Sequence, residues 1–197
     1  MKEKTDFRFD KKAEKYDESY EGRLSEKFYE LVTHNVSLHE GMAVLEMGCG
    51  TGTILHRLSQ KCSIDGYGID IEDKMLEQAR KKCPEMQILN SPCDATPFEN
   101  ESFDVIVACM AYHHFPDKDS FSKECARLLK KGGKLYIADP KLPLPVRKVL
   151  NTALEIHKIN GKVYTADEIS ANFSPYGFKK QAVGSDAYAQ IICLEKL

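Results

Sequence analysis

The sequence predicts an α/β fold in which helices cover both faces of a mostly parallel sheet. In the first two thirds of the chain, short apolar runs alternate five times with segments of helical periodicity, an order typical of parallel βαβ units. The run Val105-Ile-Val-Ala-Cys-Met110 is apolar throughout, as expected for a central strand buried on both faces. Near the end, Phe178–Val183 and Ala187–Leu194 flank Gly184-Ser-Asp186 and predict an antiparallel hairpin.

Residues 1–40 are predicted to form a helical N-terminal cap. A short helix is expected over Asp10–Tyr20. A longer one follows, because four apolar side chains share one helical face: Leu24, Phe28, Leu31 and Val32. Gly41 then breaks the pattern.

Residues 41–140 are predicted to form a cofactor-binding core of five strands: Met42–Met47, Gly66–Asp70, Met86–Leu89, Phe103–Ala111 and Lys134–Ala138. Apolar residues at helical spacing fill the connections, and Pro84 stops the helix expected over Glu72–Cys83. The pair Gly132-Gly133 predicts a glycine C-cap on the helix that precedes the fifth strand.

After Pro140 the pattern changes. Residues 141–175 are predicted to form a lid and one further helix, and residues 176–197 the C-terminal hairpin. The lid is expected to be a helix over Val146–Ile159, and Thr165-Ala-Asp-Glu168 has the spacing of a capping box. Without an internal repeat, the 197 residues are expected to form a single domain.

Composition gives no support to several classes of function. The formal charge of −2 and the scattered lysines give no basic face, so no nucleic-acid partner is evident. The seven cysteines are odd in number and form no C-x-x-C pair, which favours a reducing compartment over disulfides or a zinc site. A charged start, and apolar runs well short of the ~18 residues that span a bilayer, predict a cytoplasmic protein without a membrane segment. The oligomeric state stays open.

The strongest local signal is Val44-Leu-Glu-Met-Gly-Cys-Gly-Thr-Gly52, a strand that leads into three alternating glycines and a helix. Glycines let the backbone adopt positive φ and approach a ligand closely, although a tight turn without a ligand is an alternative. The dinucleotide fingerprint is not matched, because Thr53 stands where its third glycine is required. Glu46 is awkward beside a pyrophosphate and suits a ligand that carries an ammonium group.

Two further acids follow neighbouring strands. Asp70 ends the second strand, where a carboxylate can accept hydrogen bonds from both ribose hydroxyls; its alternative role is the N-cap of the next helix. Asp94, in Cys93-Asp-Ala95, can accept a hydrogen bond from an adenine amino group, or it is an ordinary loop acid. Open α/β sheets bind ligands at the carboxyl ends of such strands.

Four segments resemble the class I methyltransferases that use S-adenosylmethionine (SAM), above all the small-molecule enzymes of the ubiquinone/menaquinone-biosynthesis type: VLEMGCGTG, GYGIDIEDKML, CDATPFENESFDVIVACMAYHHF and RLLKKGGKLYIADP. The resemblance extends from Phe9 to Pro140. It implies a Rossmann-like class I methyltransferase fold, seven-stranded and mostly parallel with a terminal antiparallel hairpin. It also implies SAM as cofactor, S-adenosylhomocysteine as product and a small-molecule methyl acceptor.

The same resemblance implies that ten residues contact SAM. Glu46 and the glycines would surround its methionine part, and Asp70 would hold the ribose. Ile71 and Asp94 would meet the adenine, and Tyr16 would close over the site from the N-terminal segment. The implied set is Tyr16, Glu46, Gly48, Cys49, Gly50, Asp70, Ile71, Asp94, Ala95 and Cys109.

His113 and His114 are the candidate catalytic residues, because histidine can act as a general base near neutrality. Lining the acceptor pocket is the alternative role. Adjacent histidines rarely converge on one ion, so no metal site is predicted. Two competing functions share the pocket: a SAM-binding protein without transfer activity, and an enzyme that uses a modified SAM such as carboxy-SAM.

Overall fold

A computed structural model describes residues 10–197 of the protein. Phe9, where the resemblance begins, and the charged first residues lie outside the described part. Seven strands form one sheet in the order β3-β2-β1-β4-β5-β7-β6. Pairings among the first five strands are parallel, and β7 is antiparallel to both β5 and β6. The strands are β1 Met42–Met47, β2 Ile64–Asp70, β3 Gln87–Asn90, β4 Phe103–Cys109, β5 Leu129–Pro140, β6 Phe178–Asp186 and β7 Ala189–Lys196.

The sheet separates two apolar cores, and this confirms the predicted α/β fold. In β4, Val105 and Val107 face one core whereas Ile106 and Ala108 face the other, as the alternating side chains of a strand require. The first three helices contribute to the first core, and α4 and α6 to the second. The helices are α1 Tyr20–Asn35, α2 Thr53–Lys61, α3 Asp73–Lys82, α4 Lys118–Leu128, α5 Leu144–Ile156 and α6 Ala166–Phe173.

The order of the strands reverses at β1, which lies between β2 and β4. The connections on the two sides of β1 leave the sheet in opposite directions, so a crevice opens above its carboxyl end. This crevice is the place where the glycine-containing loop after β1 and the loop after β4 meet.

The expected glycine C-cap at Gly132-Gly133 is wrong. Helix α4 already ends at Leu128, and both glycines lie inside β5. The β4–β5 register shifts between Phe103 and Val105, and a Cβ at Gly133 would lie 2.8 Å from the carbonyl oxygen of Lys130. The glycines therefore serve a strand irregularity and not a helix end.

Other boundaries differ from those expected. The hairpin turns at Ala187 and Tyr188, so Gly184-Ser-Asp186 belongs to β6. The N-terminal segment forms a 3₁₀ helix over Asp10–Lys15. The helix expected as a lid is α5, which begins two residues earlier and ends three residues earlier than the expected Val146–Ile159. Within residues 10–197, no helix is both long and apolar enough to cross a membrane.

Candidate active site

The loop after β1 is shaped by glycines. Gly48, Gly50 and Gly52 have φ of +76°, +50° and +75°, values that favour glycine over residues with a Cβ. A Cβ at Gly48 would lie 2.7 Å from the Cβ of Ala111, whereas a Cβ at Gly50 would meet nothing within 4 Å. Gly48 is therefore needed for close packing against the loop after β4, and bare backbone at Gly50 faces open space.

Glu46 lies beneath this loop and is 3% exposed. Its Oε2 has no hydrogen-bond partner among the described residues. Burial raises the pKa of its carboxyl group well above the ordinary value. A buried carboxylate is costly unless a cation or hydrogen-bond donor compensates it. The position therefore suits a cationic ligand group.

Asp70, at the carboxyl end of β2, holds the glycine loop. Its Oδ2 accepts a hydrogen bond from the backbone N–H of Gly50 at 2.9 Å. Its Oδ1 accepts from the backbone N–H groups of Ile71 and Glu72 at 2.7 and 3.0 Å. The N-cap of α3 is Glu72 and not Asp70. The carboxylate is thus fixed between the glycine loop and the start of α3, where a ribose could bridge the two.

The residues expected around the adenine follow β2 and β3. The Ile71 side chain is 53% exposed, which is unusual for isoleucine and leaves it available to an aromatic ring. In the loop after β3, Asp94 is half-buried and Ala95 is exposed. The backbone N–H of Ser91 donates to the carbonyl oxygen of Asp70 at 3.0 Å, so this loop and the end of β2 are directly connected.

The N-terminal segment is fastened to the glycine loop by a latch that sequence analysis missed: Asp17, Thr51, Thr53 and Lys82. Thr51 donates to Asp17 Oδ1 at 2.8 Å, and Lys82 Nζ lies 2.6 Å from Asp17 Oδ2. Lys82 also donates to Thr53 at 2.6 Å. The neighbouring Tyr16 is half-buried, and burial raises its pKa. The sequence signal for this latch was that Asp17 comes immediately after Tyr16, the residue expected to close over the site.

Cys49 and Cys109 are both buried, and Cys109 is the last residue of β4. Burial raises the pKa of each thiol well above the ordinary value. Because the thiolate is the reactive form of cysteine, neither position is suited to nucleophilic chemistry. Both pack in the core beneath the crevice.

The two candidate histidines occupy different environments. His113 is 7% exposed, and its Nδ1 lies 2.8 Å from Oδ1 of Asp139, which is 1% exposed. Because a carboxylate can only accept, Nδ1–H of the imidazole donates to Asp139, and in the neutral ring Nε2 is the nitrogen that can accept a proton. His114 is exposed and its ring centroid lies 4.0 Å from that of His113. Sequence analysis missed this pair, because nothing in the sequence brings Asp139 next to His113.

A half-open cavity of about 360 Å³ begins at His113 and extends under the C-terminal end of α5. Of the two histidines, only His113 lines it. Burial lowers the pKa of Lys118 to about 8, and its Nζ lies over the rings of Tyr112 and Tyr164, at 5.1 and 5.6 Å from their centroids. The wall combines apolar and cationic side chains: Phe115, Leu154, Ile159, Lys118, Lys158 and Lys162.

Comparisons with known proteins identify methyltransferases as similar in sequence. A family model described as "Methyltransferase domain" matches residues 45–137. An uncharacterized methyltransferase of Anoxybacillus flavithermus is 34% identical over 139 residues, 66% of this chain and 65% of the relative. The demethylmenaquinone methyltransferase of Chlorobaculum tepidum is 33% identical over 100 residues, 51% of this chain and 41% of the relative. These matches support a class I SAM-dependent methyltransferase.

A solved structure has a similar fold. The solved complex between the Haloferax volcanii Trm112 methyltransferase activator and its methyltransferase partner contains a chain that superposes with a TM-score of 0.81 at 20% identity. The superposition covers 95% of this chain and 97% of that one. The expected Rossmann-like class I methyltransferase fold is therefore confirmed. The ten cofactor residues and the division into cap, core, lid and hairpin stay predictions.

Proposed function

We propose that this class I methyltransferase binds SAM in the crevice above β1 and transfers its methyl group to a small molecule held in the cavity beside His113. The single observation that carries the proposal is the meeting of two features at one sheet edge. Glu46 is a buried carboxylate with an unpartnered oxygen at the crevice, and the loop after β4 brings a paired histidine to the cavity.

The described residues fit SAM. Glu46 would face the ammonium of the methionine part, and the open space at Gly50 admits a ligand against bare backbone. Asp70 would accept hydrogen bonds from the ribose hydroxyls in addition to the N–H groups that it already binds. Ile71 would pack on the adenine, with Asp94 and Ala95 at its edge. Tyr16, beside the latch, would cover the site.

The bound cofactor supplies an activated methyl group on a good leaving group. The protein has to align the acceptor, exclude water and, for a hydroxyl or ammonium nucleophile, remove a proton. Nε2 of His113 would take that proton. The contact of Nδ1 with Asp139, which holds the ring in one orientation, supports this assignment. His114 lies beside this pair and would not act as the base.

The cavity wall suggests the kind of acceptor. Its apolar part would pack against a ring or an alkyl body, and its three lysines outnumber the one acid, Glu155. We therefore propose an acceptor with an apolar body and an acidic group. The name of the Chlorobaculum relative refers to demethylmenaquinone, a compound that has an apolar body. The chain spans only part of the length of these relatives, 65% and 41%. Their names therefore do not identify the acceptor of this chain.

Two measurements test the proposal. Titration calorimetry should give micromolar or tighter binding of SAM. Incubation with methyl-labelled SAM and a panel of phenols, amines and their carboxylated analogues should transfer label to at least one compound, with preference for the acidic analogue. SAM binding without transfer to any compound would favour a SAM-binding protein, and a carboxy-SAM ligand found by mass spectrometry would favour the modified cofactor. The expected absence of nucleic-acid partners and the cytoplasmic location stay predictions.

A further inference from the structure

Helix α5 packs on the protein with its polar side facing inward. Its apolar residues recur at helical spacing and form one stripe, yet no residue of the helix is buried. Val149 is 73% exposed and Ile156 is 71% exposed. The stripe, called here the α5 apolar face, consists of Val146, Val149, Leu150, Ala153 and Ile156.

Polar contacts hold the helix in this orientation. The side chain of Asn151 donates to the carbonyl oxygen of Val163 and accepts from its backbone N–H, both at 2.9 Å. Arg147 pairs with Glu168 in the first turn of α6. Because these anchors lie on the side opposite the stripe, rotating the helix to bury its apolar residues would break both.

An exposed apolar stripe of this kind is normally covered by a partner, and the charges around it indicate which one. Residues 141–162 contain four exposed lysines, Lys141, Lys148, Lys158 and Lys162, and a single acid, Glu155. A second copy of the chain is disfavoured, because a symmetric contact through this face would bring the two lysine sets together. A surface with anionic groups outside and an apolar interior would bury the apolar stripe and pair with the lysines.

We infer that the α5 apolar face docks on an anionic lipid surface. Interfacial helices bind in this way, with the apolar side in the acyl boundary and lysines at the headgroups. The His113 cavity is lined by Leu154 of α5 and by Lys158, which follows the end of the helix. Docking of the outer face of α5 would therefore hold this cavity, which lies on the inner side of the helix, near the lipid surface, where an amphipathic acceptor would be concentrated.

The test is flotation of the purified full chain with vesicles. One set contains equal parts of phosphatidylglycerol and phosphatidylcholine, and the other only phosphatidylcholine. The chain should float with the anionic vesicles and not with the neutral ones. Val149→Asp should weaken this binding at least ~10-fold, because it puts a charge where a side chain enters lipid. Lys148→Glu should weaken it roughly 5-fold or more.

Val183→Asp is the matched control, since Val183 is 50% exposed and lies on the edge strand β6. It should bind vesicles like the unchanged chain. Each variant must retain its SAM affinity and unfold cooperatively, and Ile156→Asp replaces Val149→Asp if that variant does not fold. Equal binding to neutral vesicles, equal weakening by Val183→Asp, or no flotation would overturn the inference. A dimer that Val149→Asp dissociates would overturn it in favour of a second copy.

Discussion

Replacing Glu46 by Gln should weaken SAM binding and at the same time stabilise the ligand-free protein. Gln has nearly the same shape and can keep the hydrogen bond from the backbone of Leu55, but it carries no charge. A hydrogen bond between charged groups contributes ~1.5–3 kcal/mol, so the affinity for SAM should fall roughly 10- to 150-fold.

The effect on stability follows from the raised pKa. The folded protein holds the Glu46 proton at pH values where the unfolded chain has already lost it, so the free energy of unfolding falls as the pH rises above about 4.5. The fall ends at the raised pKa. The Gln variant does not ionise here, and its advantage in stability should therefore grow with pH across that window and persist at neutral pH.

Urea unfolding between pH 4.5 and 8 measures the stability, and titration calorimetry over the same range measures the affinity. Glu124→Gln is the matched control. Glu124 is also buried, and burial alone would raise its pKa, but hydrogen bonds from Arg127 and Thr96 lower the pKa below the ordinary value. This variant should lose stability at neutral pH and keep its SAM affinity. Unchanged SAM affinity in a folded Glu46→Gln variant would refute the ammonium site.

Asp70→Asn should lower the SAM affinity at least ~10-fold in calorimetry, with an unchanged circular dichroism spectrum, because the ribose loses a charged acceptor. His113→Asn should lower the turnover of methyl transfer by ~10²–10⁴-fold with little change in SAM affinity, whereas His114→Ala should lower it less than ~10-fold. Asp17→Asn should speed SAM dissociation several-fold in stopped-flow measurements while costing less than ~1 kcal/mol of stability, since the Asp17–Lys82 pair is partly exposed.

A specific experimental outcome would contradict each of these predictions. A folded Asp70→Asn variant with full SAM affinity would mean that the carboxylate serves only the loop. Equal losses of turnover for both histidines would remove the distinction based on Asp139. If Asp17→Asn left the dissociation rate unchanged, the latch would be a packing contact and not a barrier to the ligand.

The sheet was predictable because burial and periodicity have the same physical origin. A strand buried on both faces has to be apolar along its buried run, as β4 is from Val105 to Cys109. Glycines were less informative, because the same residue serves a helix end, a bulge or a turn. Gly132-Gly133 was therefore assigned to a cap although it lies in β5.

The cofactor side of the site was predictable from chain order, because the carboxyl ends of neighbouring parallel strands converge. The His113–Asp139 pair was not, since it depends on the register in which Cys109 lies beside Ala138. The orientation of α5 also could not be predicted from the sequence. Its periodicity shows that one side is apolar, but the anchors at Arg147 and Asn151 decide which side faces the protein.

The close approach of Gly48 to Ala111 has a consequence for how the enzyme can change. Ala111 belongs to the same loop as His113, and only 2.7 Å would separate its Cβ from a Cβ at Gly48. A larger side chain at either position would displace the loop after β1 and the loop after β4 together, and with them the proposed methyl-donor and acceptor sites. New acceptor preferences should therefore arise, in evolution or in directed selection, through substitutions in residues 141–165, which can vary while the methyl donor keeps its place.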